Sequence, residues 1–392
     1  MKMKKQIPII FFFLLLSFSV QANYTISGNI KDSQSGESLI GVNVYVSTLK
    51  KGVVSNESGF YSLSLEKGTY EIVFSYLGYT TQTKKIVLSE NQKLNIQLDL
   101  SQTVLKDVEV KGRRPDANVT DLSMSVQKIP MLTIRKMPAL MGEVDVIKSI
   151  QLLPGVQAAA EGSSGFSVRG GGVDQNLILL DESTVYNASH LMGFFSVFNS
   201  DAIEGATLYK GDIPAIYGGR LSSVLDVSMR EGDNKKYMGS GGIGLISSRL
   251  ALEGPVVKDK SSFIVSGRRT YADMFLPLSS NKDIKDNTLY FYDLNGKFNY
   301  KINENNRIFA SAYWGRDKFG TKIAGMDFGN GTANIRWNHL FSKTFFTNIS
   351  LVASQYTYNL DMTMGDIGFE WKAGLQDYAV KMAFVKLIDK NN

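Results

Sequence analysis

The C-terminal part of the chain alternates apolar and polar side chains with a period of two, and this pattern restricts its fold more than any other feature. In one long run Tyr290, Tyr292 and Leu294 lie on one strand face, while Asp293 and Asn295 lie on the other. Strands of this kind that end in aromatic residues are typical of a membrane barrel wall, apolar outside and polar inside. A soluble β-sandwich shows the same alternation and is the alternative for these residues alone.

Residues 235–392 contain seven candidate strands by this criterion. They are residues 238–252, 262–271, 289–302, 307–316, 332–341, 345–358 and 369–387. We predict that they form the first strands of an antiparallel transmembrane β-barrel. The whole chain is predicted to be mainly β, because 36 Gly and only 8 Pro suit many strands joined by turns.

The N-terminus has the pattern of a secretory signal peptide. Three lysines within residues 2–5 precede an apolar run over residues 7–18, and a small residue, Ala22, follows at the predicted cleavage site. The apolar run is too short for a transmembrane helix, which takes about 20 residues. We therefore predict export, with residues 1–22 removed, and any membrane insertion must use a barrel because no later segment is long enough for a membrane helix.

The composition excludes several classes of function. The chain has no Cys, so it has no disulfide, thiolate chemistry or Cys-based zinc site, and its only histidines, His190 and His339, are far apart in sequence. No pair of a nucleophile and a base stands out, so we predict no enzyme, no cofactor and no metal. The formal charge of +6 comes without a basic block or a stacking platform, which argues against nucleic acid.

Residues 23–100 are predicted to form a small β-sandwich. Tyr24, Ile26, Gly28 and Ile30 alternate with polar residues, and about seven short β-rich runs follow one another between glycines. Five motifs carry a resemblance to the carboxypeptidase-regulatory-like domain: SGNIKD at 27–32, LIGVNV at 39–44, SGFY at 58–61, GTY at 68–70 and LGY at 77–79.

The resemblance implies an immunoglobulin- or prealbumin-like sandwich that acts as a non-catalytic accessory domain. We interpret it as a periplasmic spacer or a module that docks a partner. Carbohydrate binding is the alternative: Tyr76 and Tyr79 could stack on a sugar, and they fit packing against the core equally well.

Residues 101–128 are predicted to be a polar linker with one short strand. This strand alternates apolar and charged side chains; it comprises Val104, Leu105, Lys106, Asp107, Val108, Glu109 and Val110. A short strand between flexible segments can add to the edge of a partner's sheet. The segment resembles the Ton box, which a TonB-type energy-transducing protein grasps in the periplasm. The alternative is that it is the last strand of the sandwich.

Residues 129–232 are predicted to form a mixed α/β domain. A helix is predicted over 142–153 from the spacing of Val144, Ile147 and Ile150, and Pro154 with Gly155 ends it. The predicted strands cover residues 166–169, 177–180, 206–209 and 224–229.

Long motifs in this domain resemble the plug of TonB-dependent receptors. They are LPGV at 153–156, VRGG at 168–171, DQNLILLD at 174–181, VYN at 185–187, HLMGFFSVFN at 190–199, YKG at 209–211 and AIYGGRLSSVLD at 215–226. The chain departs from the family at Asp181-Glu182-Ser183, since the family usually has Asp-Gly before a small residue at this place, and this difference puts the local turn in doubt.

The resemblance also implies roles for single residues of the plug. Arg169 and Arg220 are predicted to contact the barrel, with Arg169 paired to acidic residues on its inner wall. For His190 a structural hydrogen bond is preferred over a ligand contact. Neither Gly170-Gly171-Gly172 nor Gly218-Gly219 is followed by a phosphate-binding helix, so these glycines are predicted to serve turns or close backbone approach.

The sequence as a whole resembles a TonB-dependent outer-membrane receptor of the Bacteroidota type. The resemblance implies energised uptake of a scarce ligand (siderophore, glycan, peptide or vitamin) with a TonB-type protein and outer-membrane lipid as partners. It leaves open the ligand and a surface lipoprotein lid. The resemblance also implies a barrel of about 22 strands, and residues 235–392 are too few to form it, so we expect a barrel fragment. The alternatives are a signalling receptor and a small structural or adhesive barrel with a periplasmic β-sandwich cap.

Overall fold

The computed structural model describes residues 23–46, 48–49, 51–56, 58–76, 78–101, 125–137, 143–160, 163–342, 345–364 and 367–386. The predicted signal peptide, residues 1–22, and the predicted Ton box, residues 104–110, lie outside the described residues. The described parts form three successive units: a sandwich, a mixed α/β plug and a large antiparallel sheet. The expected mainly β fold is confirmed.

The first unit is a β-sandwich of eight short strands. They are β1 (Asn23–Asp32), β2 (Asn43–Val46), β3 (Lys51–Val54), β4 (Phe60–Glu66), β5 (Gly68–Ser75), β6 (Gln82–Leu88), β7 (Gln92–Lys93) and β8 (Ile96–Leu98). One sheet joins β4, β1, β7 and β8, and the other has the order β3-β2-β5-β6. The predicted count of seven was one too low because the closing run divides into β7 and β8.

The core of the sandwich confirms the alternation that was read from the sequence. Ile26 and Ile30 of β1 are fully buried, as is Phe74 of β5. Tyr76 and Tyr79 pack against this core, and their ring centroids lie 5.5 Å apart. Both tyrosines therefore take part in packing, and carbohydrate binding by the sandwich stays the alternative prediction.

The second unit, the plug, combines two short helices with nine strands. These are β9 (Val126–Pro130), α1 (Met131–Ile134), α2 (Val146–Gln151), β10 (Val156–Ala158), β11 (Phe166–Val168), β12 (Asn176–Leu180), β13 (Ser183–Thr184), β14 (Ser189–His190), β15 (Phe195–Ser196), β16 (Ile203–Tyr209) and β17 (Ser223–Met229). Five of the strands form a mixed sheet in the order β13-β12-β17-β16-β9. The four predicted strands all exist, each within a few residues of its predicted bounds.

Helix α2 is shorter than the predicted helix over residues 142–153. It begins after Asp145, whose extended backbone cannot continue a helix and whose carboxylate accepts the backbone N–H of Lys148 at 3.0 Å. It ends at Gln151, before a turn that includes Gly155 at φ 77°. The apolar spacing located the helix, and the N-cap fixed its start.

The third unit is one antiparallel sheet of eight strands in chain order. They are β18 (Met238–Ile243), β19 (Ser247–Val257), β20 (Ser261–Thr270), β21 (Thr288–Asn303), β22 (Asn306–Gly320), β23 (Ala324–Ser342), β24 (Phe345–Met364) and β25 (Ile367–Lys386). The short helix α3 (Lys282–Lys285) lies between β20 and β21. Within the described residues β18 and β25 each pair with one neighbour only, so the sheet is open.

The prediction of one strand over residues 238–252 was wrong. These residues form the hairpin of β18 and β19, with Met238 opposite Glu253 and Ile243 opposite Ser248. The chain reverses at Gly244, whose N–H donates to the Ser247 carbonyl at 2.8 Å. Alternation continues across a short glycine-rich turn, so the period of two alone does not reveal it.

The two faces of the sheet differ sharply in polarity. The face toward the plug carries buried polar side chains, among them Arg268, Asp293 and Asn334. The opposite face exposes large apolar side chains, including Leu294 and Ile335. Across the described residues, no helix is long and apolar enough to cross a membrane.

Candidate functional site between the plug and the sheet

The plug reaches the inner face of the sheet through a small hairpin made by β14 and β15. Asn187 shapes its start, because its side-chain oxygen accepts the N–H of Ser189 at 3.2 Å and the Ser189 hydroxyl at 2.8 Å. Leu191, at φ 48°, turns the chain directly after His190. This geometry projects the His190 imidazole away from the plug and into the sheet.

His190 is held between two carboxylates of the sheet. Its Nδ1 lies 2.5 Å from Asp317 Oδ2, and its Nε2 lies 2.6 Å from Asp293 Oδ1. The ring stacks on Phe291 with centroids 4.1 Å apart, and only 1% of His190 is exposed. We call His190, Asp293, Asp317 and Arg268 the His190 cluster.

The two carboxylates require an imidazolium. Each accepts a hydrogen bond and neither donates one when ionised, so both ring nitrogens must carry protons. Burial by itself would lower the pKa of His190, but the charges and hydrogen bonds of Asp293 and Asp317 outweigh it and raise the pKa to about 9. The histidine is therefore charged at neutral pH.

Arg268 completes the charge balance of the cluster. Its Nε donates to Asp293 Oδ2 at 2.7 Å, and its Nη2 lies 2.5 Å from the same oxygen and donates to the Ser196 carbonyl of the plug at 2.8 Å. The Tyr313 hydroxyl donates to Asp293 Oδ1 at 2.9 Å. Two cations thus face Asp293 and Asp317, and Arg268 Nη1 also lies 3.8 Å from the buried Glu143 carboxylate, so each buried ion keeps a close partner.

A second contact forms at the loop between β12 and β13. Asp181 and Glu182 have φ values of 44° and 69°, as a two-residue type I′ hairpin loop requires. Glycine suits the second position best, because a residue with a Cβ is strained at a positive φ. Glu182, where the family has glycine, therefore needs a stabilising contact. Arg336 of the sheet provides it, with Nη1 at 3.1 Å from the Glu182 carboxylate.

Asp181 in the same loop forms a buried ion pair with the sheet. Lys297 Nζ lies 3.0 Å from Asp181 Oδ2 and donates to the Met229 carbonyl at 2.7 Å. The Asn334 amide donates to the Asp181 carbonyl at 2.6 Å. Loop and hairpin together fix the plug at two places on neighbouring strands.

Arg169 and Arg220, the predicted contact residues, have other neighbours among the described residues. Arg169, at φ 49°, donates from Nη2 to Ser125 Oγ at 2.5 Å within the plug. Arg220 is exposed and donates to the Gly219 carbonyl at 2.9 Å. Their contact with the barrel stays a prediction.

The glycine-rich segments have the turn role that was predicted for them. Gly170 and Gly219 have φ values of 82° and 84°, which L side chains rarely adopt. A Cβ on Gly171 would lie 2.3 Å from Ser222 Oγ.

Within the described residues no group of three or more His, Asp or Glu side chains is placed to hold a metal ion.

The sandwich contacts both the plug and the near end of the sheet. Glu231, which follows the plug, donates its N–H to Glu37 at 2.5 Å and pairs with Arg307 of the sheet at 2.6 Å. Lys93 of the sandwich pairs with Glu304 at 2.9 Å. A buried acidic group, Glu204, lies where the sandwich meets the plug.

Sequence reasoning placed these side chains on the correct strand face and missed their partners. Asp293 was assigned to the polar face of its strand, but nothing connected it to His190, and nothing connected Lys297 to Asp181. Single charged residues in the middle of a long strand are expensive to bury unpaired, and this signal could have marked them as contacts of a buried domain.

The comparisons with known proteins agree with this architecture. Residues 118–223 match the family described as the TonB-dependent Receptor Plug Domain. The chain carries a TonB-dependent receptor plug domain. The plug match includes His190, the β12–β13 loop and both predicted contact arginines.

Residues 26–110 match the CarboxypepD_reg-like domain, which confirms the predicted family of the sandwich. This match continues through residue 110 and therefore includes the predicted Ton box. Both interpretations of residues 104–110 stay in place, as a Ton box and as a last strand of the sandwich.

Curated relatives of this plug-containing chain are receptors from Bacteroidota. TonB-dependent receptor P3 of Formosa agariphila is 28% identical over 36% of this chain and 14% of its own length. TonB-dependent receptor SusC of Bacteroides thetaiotaomicron is 27% identical over 54% of this chain and 21% of its own length. The aligned regions thus span about a fifth or less of these relatives.

Solved structures with a similar arrangement are also receptors. A mutant of the ferric enterobactin receptor of Pseudomonas aeruginosa has a TM-score of 0.49 at 15% identity and covers 68% of this chain and 47% of its own. The siderophore receptor PirA of Acinetobacter baumannii has a TM-score of 0.48 at 15% identity, with coverages of 67% and 45%.

Proposed function

We propose that this chain contributes the sandwich, the plug and eight wall strands of an outer-membrane transporter that takes up a small ligand with energy from a TonB-type protein. The observation that carries the proposal is the seating of the plug. Buried ion pairs fix it to the polar face of a sheet whose other face is apolar. Such a sheet suits a lipid bilayer on one side and a plugged lumen on the other.

Transport in this proposal requires that the contacts between the plug and the sheet break after the ligand has bound. A ligand binds outside, the segment at residues 104–110 is grasped in the periplasm, and force displaces part of the plug. The His190 cluster and the Asp181–Lys297 pair hold the plug until then. The chain supplies no catalytic step of its own in this proposal.

The two alternatives have less support. A signalling receptor of this kind carries an α/β signalling domain, whereas a sandwich precedes the plug here. A small closed barrel would join its first and last strands, and β18 and β25 do not pair within the described residues. A siderophore, a glycan, a peptide and a vitamin all stay candidate ligands.

The proposal is tested by binding of the full chain to the purified periplasmic domain of a TonB-type protein. Leu105→Pro should reduce the affinity at least about tenfold, because proline removes a backbone donor from a strand that must pair with the partner's sheet. Ala117→Pro, in the same linker but outside residues 104–110, is the matched control and should bind like the parent chain. Isothermal titration calorimetry gives the affinities.

Two results would count against the proposal. The parent chain could fail to bind, or both proline variants could bind equally. Equal loss in both variants would show that binding depends on the linker as a whole and not on residues 104–110 in particular.

A further inference from the structure

A cleft of about 270 Å³ lies between the sandwich and the near end of the large sheet. Asn29, Lys31 and Phe60 line it from the sandwich. The sheet contributes the turns after β19 and β21 and the adjoining ends of β23 and β24. We call this space the rim cleft; it is separate from the His190 cluster.

One row of polar side chains crosses the floor of the rim cleft. Strand pairing places Lys301 opposite Arg307, Arg307 opposite Asn338 and Asn338 opposite Asn348. All four line the cleft. Two cations and two amides therefore present donors and acceptors to one side of the same space.

Two of the lining amides have unused hydrogen-bonding atoms. Asn338 is 9% exposed, and neither its amide oxygen nor its nitrogen has a partner within the described residues. Asn234 is 7% exposed, and its side-chain oxygen is also without a hydrogen bond. Buried amides are almost always hydrogen-bonded, so these atoms point to something that completes them.

Lys31 adds a cation that no carboxylate neutralises directly. Its ammonium makes no hydrogen bond or ion pair among the described residues, whereas Arg307 pairs with Glu231 and Lys301 pairs with Glu304. Burial, and then the charge of Arg307, lower the pKa of Lys31 to about 8. A bound anion would relieve this crowding of positive charge.

The walls of the cleft add an apolar surface. Phe60 of the sandwich and Phe346 of β24 meet edge to face with ring centroids 5.7 Å apart. Four cationic residues line the cleft against two acidic ones, Asp259 and Glu304, and Glu304 is already paired with Lys93 and Lys301. Two lining cations, the partly buried Lys31 and the exposed Lys260, have no ion pair among the described residues, and they stand beside the carboxylate of Asp259, open amide groups and aromatic edges.

We propose that the rim cleft binds a small hydroxylated oxyanion, in which a carboxylate or phosphate meets Lys31 and hydroxyl groups meet Asn338 and Asn234. Amides pair with hydroxyls as donor and acceptor, and an ammonium pairs with either oxyanion. The site goes beyond the proposed transport function and does not depend on it. Glucuronate and glucose 6-phosphate carry the two oxyanions on one sugar frame.

The test measures binding of glucuronate, glucose 6-phosphate and glucose to the full chain in detergent by titration calorimetry. One of the two anions should bind, and glucose should bind at least about tenfold more weakly because it lacks the charge-assisted bond. The stronger anion identifies the oxyanion. Lys31→Gln should weaken that anion at least about tenfold. Lys85→Gln, on the exposed face of β6, is the matched control and should leave binding unchanged.

Three outcomes would overturn the proposal. They are no binding of either anion at about 10 mM, binding of glucose as tight as that of the anions, and equal binding by the two lysine variants. Asn338→Asp provides a second variant, since a carboxylate in the floor should repel the anion and spare glucose. If Asn338→Asp does not fold, the partly exposed Lys31 decides the question alone.

Discussion

His190 is suited to its position because imidazolium donates from two opposite sides of a flat ring. Asp293 and Asp317 receive these two bonds, and Phe291 covers the ring face. A lysine could not match the two directions with one flat group. The side chain thus connects the plug to β21 and β22 at one buried point.

Replacing His190 should loosen the plug. His190→Gln leaves two buried carboxylates with only Arg268 as a full counter-charge, and the raised pKa corresponds to about 3 kcal/mol of lost stability. Hydrogen exchange of residues 189–196, measured by mass spectrometry on the full chain, should rise by about two orders of magnitude. His339→Gln, at the only other histidine, should leave this exchange unchanged.

The same residue predicts a pH dependence. Because the pKa of His190 is raised from 6.5 to about 9, its stabilising effect is complete below pH 6.5 and is lost as pH rises through 9. Above pH 9, the hydrogen-exchange rate of residues 189–196 in the parent chain should therefore rise more steeply with pH than the intrinsic exchange rate does. If His190→Gln retains the same pH profile, the imidazolium is not the group that holds the plug.

The contact between the sandwich and the plug buries the carboxylate of Glu204 without a hydrogen bond. Glu204 on β16 has both carboxylate oxygens buried and without a hydrogen bond, beside a cavity of about 280 Å³ that Glu37 also lines. Burial first, and then Glu37 and Glu231, raise the pKa of Glu204 well above its ordinary value. Burial also raises the pKa of Glu37, to about 7.

Glu204→Gln should stabilise the chain at pH 8 and not at pH 4.5. A raised carboxyl pKa means that the folded state binds more protons, so the cost of Glu204 is absent near pH 4.5 and grows as pH rises through the folded pKa. We expect a gain of about 1–3 kcal/mol at pH 8, seen as a higher Tm in scanning calorimetry. Glu71→Gln, at an exposed position of β5, is the control and should change the Tm at neither pH. A lower Tm for Glu204→Gln at pH 8 would contradict the account.

The elements were predictable from the sequence to the extent that their signals are local. Alternation located the sheet strands and assigned Asp293 to the inner face, because strand geometry repeats every two residues. The start of α2 depended on the Asp145 cap, and the β18–β19 turn was hidden within continued alternation. The partners of His190 lie 103 and 127 residues away in sequence, so no local pattern could connect them.

At the scale of the whole molecule, the large sheet separates two environments. Its inner face is polar and buried by the plug, and its outer face exposes Leu294, Ile335 and Val380. The low dielectric under the plug strengthens the attraction within the charged contacts, and the large apolar side chains of the outer face are unfavourable in contact with water. The plug covers one face of the sheet, and in the proposed transporter lipid covers the other.

This arrangement predicts a selective response to charge on the outer face. Ile335, 54% exposed on β23, should lie against lipid, so Ile335→Arg should weaken association with phospholipid vesicles by about 2–4 kcal/mol. Val87→Arg is the matched control: Val87 is 65% exposed on β6 of the sandwich and should stay in water. Vesicle flotation of the full chain measures the bound fraction. Equal effects of both substitutions would mean that the outer face does not meet the bilayer, since only a desolvated arginine carries this cost.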